Sequence, residues 1–135
     1  MTWCCVSKPL ARAFLDVWQA DANGQYHYEK DNFRLRGQLL TDDKGSFEFT
    51  TVVPGRYKLD GGYRPAHIHF IVGHPRHQPL TTQLYFKGDP YLGPKDACGD
   101  ECDSADSGRI VEMKKAEAGR AFAAEFQIVL RARKG

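Results

Sequence analysis

Short apolar runs separated by clusters of turn-forming residues recur along the chain, the pattern expected of an all-β sandwich. Residues 13–19 (AFLDVWQ) read as a strand closed by Asp21-Ala-Asn-Gly24. Residues 34–40 (RLRGQLL) form a second, followed by the turn Thr41-Asp-Asp-Lys-Gly45. Over 46–53, Phe47 and Phe49 alternate with Glu48 and Thr50, which predicts a third. Pro54-Gly55 turns the chain again before 56–59. The stretches 67–72 (HIHFIV) and 81–86 (TTQLYF) are the next strands. The loop over 87–107 is longer than the ~12–15 residues usual in a compact domain, so it is functional or mobile. Residues 121–132 mix a helical Ala content with period 2 at Phe122, Phe126, Ile128 and Leu130; they are read as a strand, preceded by a helical turn over 114–118. Together these elements predict a β-sandwich of mostly antiparallel strands in one domain, residues 1–135, with long loops at one end.

Within that frame, His67-Ile68-His69 carries the first chemistry. Residues i and i+2 of a strand share a face, so both imidazoles project together while Ile68, Phe70 and Val72 face the core. Two neutral imidazoles on one strand make half of a metal site; two surface histidines on a half-exposed strand are the plain alternative. Two tyrosines follow glycine turns, Tyr26 in Asn23-Gly24-Gln25-Tyr26 and Tyr57 in Pro54-Gly55-Arg56-Tyr57, positions that project from loop rims. The run T-D-x-x-G-x-F-x-F ending in P-G-x-Y is shared by many transthyretin-like modules and by itself says only sandwich. A net charge of +2 gives no electrostatic case for nucleic acid or a lipid surface. No apolar run approaches the ~18 residues of a membrane span.

Taken in order, LDVWQADANGQYHY (15–28), RGQLLTDDKGSFEFTTVVPGRY (36–57), RPAHIHFIV (64–72), LTTQLYFKGDPY (80–91) and FQIVLRA (126–132) resemble the intradiol ring-cleavage dioxygenases. That family includes catechol, hydroxyquinol and protocatechuate dioxygenases. The resemblance implies a non-haem ferric ion held by Tyr26, Tyr57, His67 and His69. It implies catechol and O2 as substrates and a cis,cis-muconate-type diacid as product. Phenolate oxygens suit a hard, highly charged ion, and coordination removes a phenol proton that otherwise leaves at ~10. By position in P-G-x-Y, Tyr57 resembles the ligand that leaves the metal to take a substrate proton, and Tyr26 the one that stays. Arg64 and Gln83 match groups that stabilise charge on the bound ring and donate to it. Tyr28 competes with Tyr26 for the ligand position, but the spacing after Asn23-Gly24 favours Tyr26. His27 is set aside beside it. His74 and His77 read as surface histidines of a loop, and Tyr63 and Tyr91 as loop aromatics or the rim of the pocket.

Some features sit outside the family pattern. Only 14 residues precede Leu15, fewer than the family usually carries before this strand, although a homodimer is still allowed. The Tyr57-to-His67 interval is ten residues, nearer the protocatechuate type. Four cysteines fall in two pairs, Cys4/Cys5 and Cys98/Cys102, neither with zinc spacing. Cys98 and Cys102 read either as free thiols in a reducing compartment or as a small disulfide ring in an exported protein. The first residues lack the apolar core of a signal peptide. Against the enzyme stand a non-catalytic transthyretin-like binding module and a cupin-like metal barrel. The barrel wants a third His or Glu and has no use for the two tyrosines.

Overall fold

The ladder that organises the molecule runs through the His-x-His strand. The computed structural model describes residues 8–29, 34–116 and 121–134, so Cys4 and Cys5 lie outside the described residues. Among the described residues, nine strands follow in chain order: β1 (Phe14–Gln19), β2 (Arg36–Leu40), β3 (Tyr57–Leu59), β4 (Gly62–Arg64), β5 (His67–His74), β6 (His77–Phe86), β7 (Ile110–Val111), β8 (Lys114–Lys115) and β9 (Phe122–Ala123). The main sheet has the order β2-β1-β5-β6-β7. Its pairs are antiparallel except β6 with β7. β3 with β4, and β8 with β9, form two separate antiparallel ribbons.

Period 2 explains the main sheet. Val17 pairs with Phe70, Leu15 with Val72 and Ile68 with Leu84, so one face carries a row of apolar side chains. These residues, with Ala66, Phe86 and Val111, are the buried core. Phe70 is fully buried, and its ring centroid lies 5.4 Å from that of Phe126, 6.1 Å from Phe49 and 6.3 Å from Phe47. Burying a side chain of this kind contributes about 1.5–3 kcal/mol. Phe47, Phe49, Phe126, Ile128 and Leu130 supply the second layer, completing the sandwich. The opposite face of the main sheet presents His67, His69, Gln83 and Tyr85, with His69 opposite Gln83 and His67 opposite Tyr85.

Several sequence expectations need correction. Residues 46–53 keep the period-2 burial of Phe47 and Phe49 but form no ladder among the described residues. Residues 121–132 are ladder-bonded only at β9 and in one bridge, Ala132 to His77. A cavity of about 960 Å³ is lined by residues of both segments, 46–54 and 121–126, and by Ile68, Phe70 and Phe86. Alternation therefore reports which side chains face inward, not whether the backbone finds a partner. The helical turn over 114–118 is replaced at its start by β8, because Lys114 and Lys115 pair with Ala123 and Phe122. Residues 117 and 118 lie outside the described residues. His74 and His77 are not in a loop but end β5 and begin β6, where the hairpin turns through Pro75 and Arg76. Residues 34 and 35 form a turn ahead of β2, with Leu35 at a positive φ of 59° and its carbonyl accepting the Gln19 N–H at 3.1 Å.

The long loop is folded. Short 3-10 turns occupy Gly93–Lys95, Asp100–Cys102 and Ser107–Arg109, and Cys98 is disulfide-bonded to Cys102. A bridge between Asp96 and Tyr63 lays this loop against β4.

Candidate metal centre

Two loops and one strand converge on the open face of the sheet. Asp21 organises the first loop: its Oδ1 accepts from the backbone N–H of Asn23 (2.8 Å) and Gln25 (3.0 Å), an Asx turn that delivers Tyr26. The Gly55 N–H donates to the Asp21 carbonyl at 2.8 Å, which docks the second loop on the first. Both glycines are required by contact. A Cβ on Gly24 would stand 2.4 Å from the Arg56 carbonyl oxygen, and one on Gly55 would stand 2.5 Å from that of Ala22. Gly24 also holds a φ of 79°, in the left-handed region. The N-G-x-Y and P-G-x-Y patterns are thus two halves of one backbone junction, and each places its tyrosine over β5.

The Tyr26 hydroxyl lies 2.8 Å from His69 Nε2 and 3.1 Å from His67 Nε2. The Tyr57 hydroxyl lies 3.4 Å from His67 Nε2. His67 Nδ1 is 2.7 Å from the Pro65 carbonyl, which can only accept, so the proton sits on Nδ1 and the lone pair on Nε2. Trp18, paired with His69 across the ladder, stacks on that ring at 4.8 Å with an interplanar angle of 2°. Burial holds both imidazoles neutral. It acts with the Arg64 charge to lower His67 to about 4, and with His67 and Arg64 to lower His69 to about 3. Burial and the neighbouring Tyr57 raise the Tyr26 phenol.

The fit to a cation follows from this crowding. Tyr26, Tyr57 and Arg64 Nη1 (3.1 Å) all surround the single lone pair of His67 Nε2, which can accept from one of them. The heads are brought closer than their own hydrogen bonding can use. A cation taking two imidazole lone pairs and two phenol oxygens would satisfy all four. Among the described residues, no group of three or more His, Cys, Asp or Glu side chains could hold a metal, so a cation at His67 and His69 would draw on the tyrosine oxygens.

Arg64 and Gln83 lie beside this point. Arg64 Nη2 donates to Gln83 Oε1 at 3.0 Å, and the Tyr85 hydroxyl lies 2.9 Å from the same oxygen and donates to the Cys102 carbonyl. Tyr28 is 77% exposed, and its ring stacks on the outer side of Tyr26 at 5.4 Å without a hydroxyl contact to either histidine. His27 bonds Asp21 Oδ2 at 3.0 Å, and His74 and His77 face each other across the hairpin. Tyr63 and Tyr91 pair with each other at 5.2 Å, Tyr63 being on β4 next to Arg64.

Known proteins are similar to this chain in both sequence and fold. Residues 5–132 match the family model described as Dioxygenase. The chain belongs to the intradiol ring-cleavage dioxygenases. It is 36% identical to catechol 1,2-dioxygenase 2 of Acinetobacter lwoffii, with 81% of this chain and 46% of that protein covered. Identity is also 36% to the protocatechuate 3,4-dioxygenase beta chain of Burkholderia cepacia, covering 93% of this chain and 60% of that one. The crystal structure of 3-chlorocatechol 1,2-dioxygenase from Rhodococcus opacus 1CP superposes with a TM-score of 0.81 at 31% identity, covering 93% of this chain and 55% of that one. This dioxygenase-family chain therefore spans about half the length of the relatives it matches.

Sequence reasoning passed over Asp21, Trp18, Tyr85 and Asp96. Trp18 had a usable signal, since an aromatic one strand from His69 on the same face can stack on it. Asp96 had none: nothing in the 87–107 stretch says which of its carboxylates folds back onto Arg64.

Proposed function

We propose that this protein opens catechol-type rings between the two hydroxyl-bearing carbons with O2, using a non-haem ferric ion held by Tyr26, Tyr57, His67 and His69. One domain, residues 1–135, would carry the site. The observation that carries the reading is the convergence of two phenol oxygens and two imidazole nitrogens on one open sheet face. The names of the relatives, catechol and protocatechuate dioxygenases, support the substrate class.

What a ferric ion supplies there is Lewis acidity toward both catechol oxygens and activation of the ring toward O2. The chain does the rest. Trp18 and the Pro65 carbonyl fix the planes of the two imidazoles. Tyr26 sits tightly against both histidines and is the phenol that stays in place. Tyr57 is held more loosely, 3.4 Å from His67 and edge-on to the Tyr26 ring, and as a phenolate would receive the proton of a substrate hydroxyl on its oxygen. Arg64 directs positive charge at the ring as negative charge develops. Gln83 Oε1 accepts from Arg64 and one N–H of its Nε2 points at Cys102 Sγ at 3.9 Å, which leaves the second N–H to donate toward the substrate side.

The test is colour, metal and product together. Protein prepared with ample iron should bind one iron and show a tyrosinate-to-iron absorption band. It should consume O2 with catechol and yield a muconate-type diacid. The Tyr26→Phe, Tyr57→Phe double variant should lose the band. Zinc or no metal in the purified protein, or full colour in the double variant, would sink the proposal. A yellow semialdehyde product would overturn the intradiol mechanism.

A further inference from the structure

Asp96 lies in the long loop, far in sequence from the tyrosine and histidine motifs, yet its side chain is 0% exposed and sits against Arg64, itself 4% exposed. The pair is a two-pronged fork. Arg64 Nε donates to Asp96 Oδ1 at 3.1 Å and Nη2 donates to Oδ2 at 3.2 Å. Nη2 also donates to Gln83 Oε1 at 3.0 Å. A guanidinium has five N–H groups in one plane, and these bonds use the three on Nε and Nη2. The two left are on Nη1, the nitrogen that lies 3.1 Å from His67 Nε2. Once that lone pair is given to a metal, Nη1 can no longer donate to it and is free to donate to whatever the metal holds.

Asp96 is itself held from three sides. Its Oδ1 accepts the Cys98 N–H at 2.9 Å, inside the ring closed by the Cys98–Cys102 disulfide. Its N–H donates to the Gly93 carbonyl at 3.0 Å. The Ala97 N–H donates to the Tyr63 carbonyl at 3.0 Å, pinning the loop to the strand residue next to Arg64. The same loop gives the Cys102 carbonyl to Tyr85, which packs against Gln83 and Arg64.

We propose that Asp96 is a positioning residue for the ring-cleaving reaction: it clamps Nε and Nη2 of Arg64 so that Nη1 is presented to the metal-bound substrate. The inference rests on the function proposed above and adds the element that aims its cation. A salt bridge of purely structural value would affect folding and leave the reaction alone. A clamp would act on the reaction only through Arg64.

The experiment is a double-mutant cycle on the iron-loaded protein, with Asp96→Asn, Arg64→Ala and the pair together. Asn keeps the volume of Asp and one carbonyl acceptor but cannot hold both prongs. Asp96→Asn should keep its iron and its visible band, because none of the four proposed ligands is touched. Its kcat should fall about 10- to 100-fold, the scale of a misplaced group near 1 Å, with KM within about 3-fold. In the Arg64→Ala background the same change should cost no further kcat beyond about 2-fold. Arg64→Lys gives a second arm that leaves Asp96 in place: it keeps the charge, cannot fill the fork, and should lose kcat to a similar extent. Undiminished kcat in Asp96→Asn or in Arg64→Lys overturns the clamp. So do losses that multiply in the double variant, or iron loss in Asp96→Asn. An Arg64→Ala variant with full kcat instead removes Arg64 from the reaction and fails the underlying reading. An iron-loaded wild type without ring cleavage fails it entirely.

Discussion

Acidifying the metal-free protein should destabilise it well before its carboxylates titrate. His67 is 2% exposed and its Nε2 faces the site, so burial and then the Arg64 charge hold its imidazole down to about 4, against 6.5 in an unfolded chain. The unfolded chain therefore binds a proton that the fold refuses, and stability falls as the pH drops below 6.5. The loss is complete for His67 near its folded value of about 4 and amounts to roughly 3 kcal/mol. His69, held to about 3 by burial, His67 and Arg64, extends the window downward. Because the two rings lie 4.8 Å apart, their effects overlap and do not simply add. Asp96 acts in another window. Burial alone would raise its carboxyl, but the bonds from Arg64 and the Cys98 N–H hold it below its ordinary 3.8, so its contribution is lost only below that value. Urea unfolding at pH 7 and pH 5 reads the imidazoles before most carboxylates protonate. The expected fall is about 2 kcal/mol or more in unfolding free energy, against a total of ~5–15 kcal/mol for a domain of this kind. His67→Gln should flatten the dependence. Equal stability at the two pH values in the wild type would refute the argument, since it would mean that the imidazoles are protonated, or solvated, in the fold.

Two further outcomes can be checked directly. Thiol labelling of the denatured, non-reduced protein, followed by peptide mapping, should leave Cys98 and Cys102 unmodified, and reduction should cost ~2 kcal/mol or less, because the ring they close is small. Oxygen uptake across catechol, alkyl- and halo-catechols and hydroxyquinol should give kcat/KM values within about two orders of magnitude, and phenols with one hydroxyl should not react, because chelation by adjacent hydroxyls outweighs single apolar pocket contacts of ~1–3 kcal/mol.

The main sheet was legible because burial on one face leaves a period-2 trace. HIHFIV and TTQLYF gave both the strands and the face on which His67, His69 and Gln83 stand. The tyrosine loops were legible for a different reason: a glycine that must accept backbone contact cannot be replaced without steric cost, so Gly24 and Gly55 mark the junction in the sequence itself. The second layer was half legible. Phe47, Phe49, Phe126 and Ile128 face inward as their spacing predicts, yet ladder bonding in those segments depends on distance to another chain segment, which spacing does not encode. The residues 87–107 were opaque because their structure comes from single 3-10 turns and side-chain bonds of Asp89, Asp96 and Ser104 to backbone N–H groups, none of which has a period.

That opacity bears on how the site is built. The four proposed metal ligands come from segments with strong local rules, two glycine turns and one strand, and their alignment is fixed by backbone contact. Arg64 is different. It stands on a three-residue strand in a two-stranded ribbon, outside the main ladder, where an isolated hairpin is marginal on its own. Something must hold the guanidinium in one plane, and the irregular loop does so through Asp96 on one side and through Cys102 and Tyr85 on the other. A site assembled this way separates two demands. In the proposed site, metal affinity would be set by the rigid sheet and its glycine junction, and the aim of Arg64 over the ring by a loop stapled to itself. Changes in that loop can therefore retune turnover without disturbing the metal, which is why the iron band and kcat are expected to part company in Asp96→Asn.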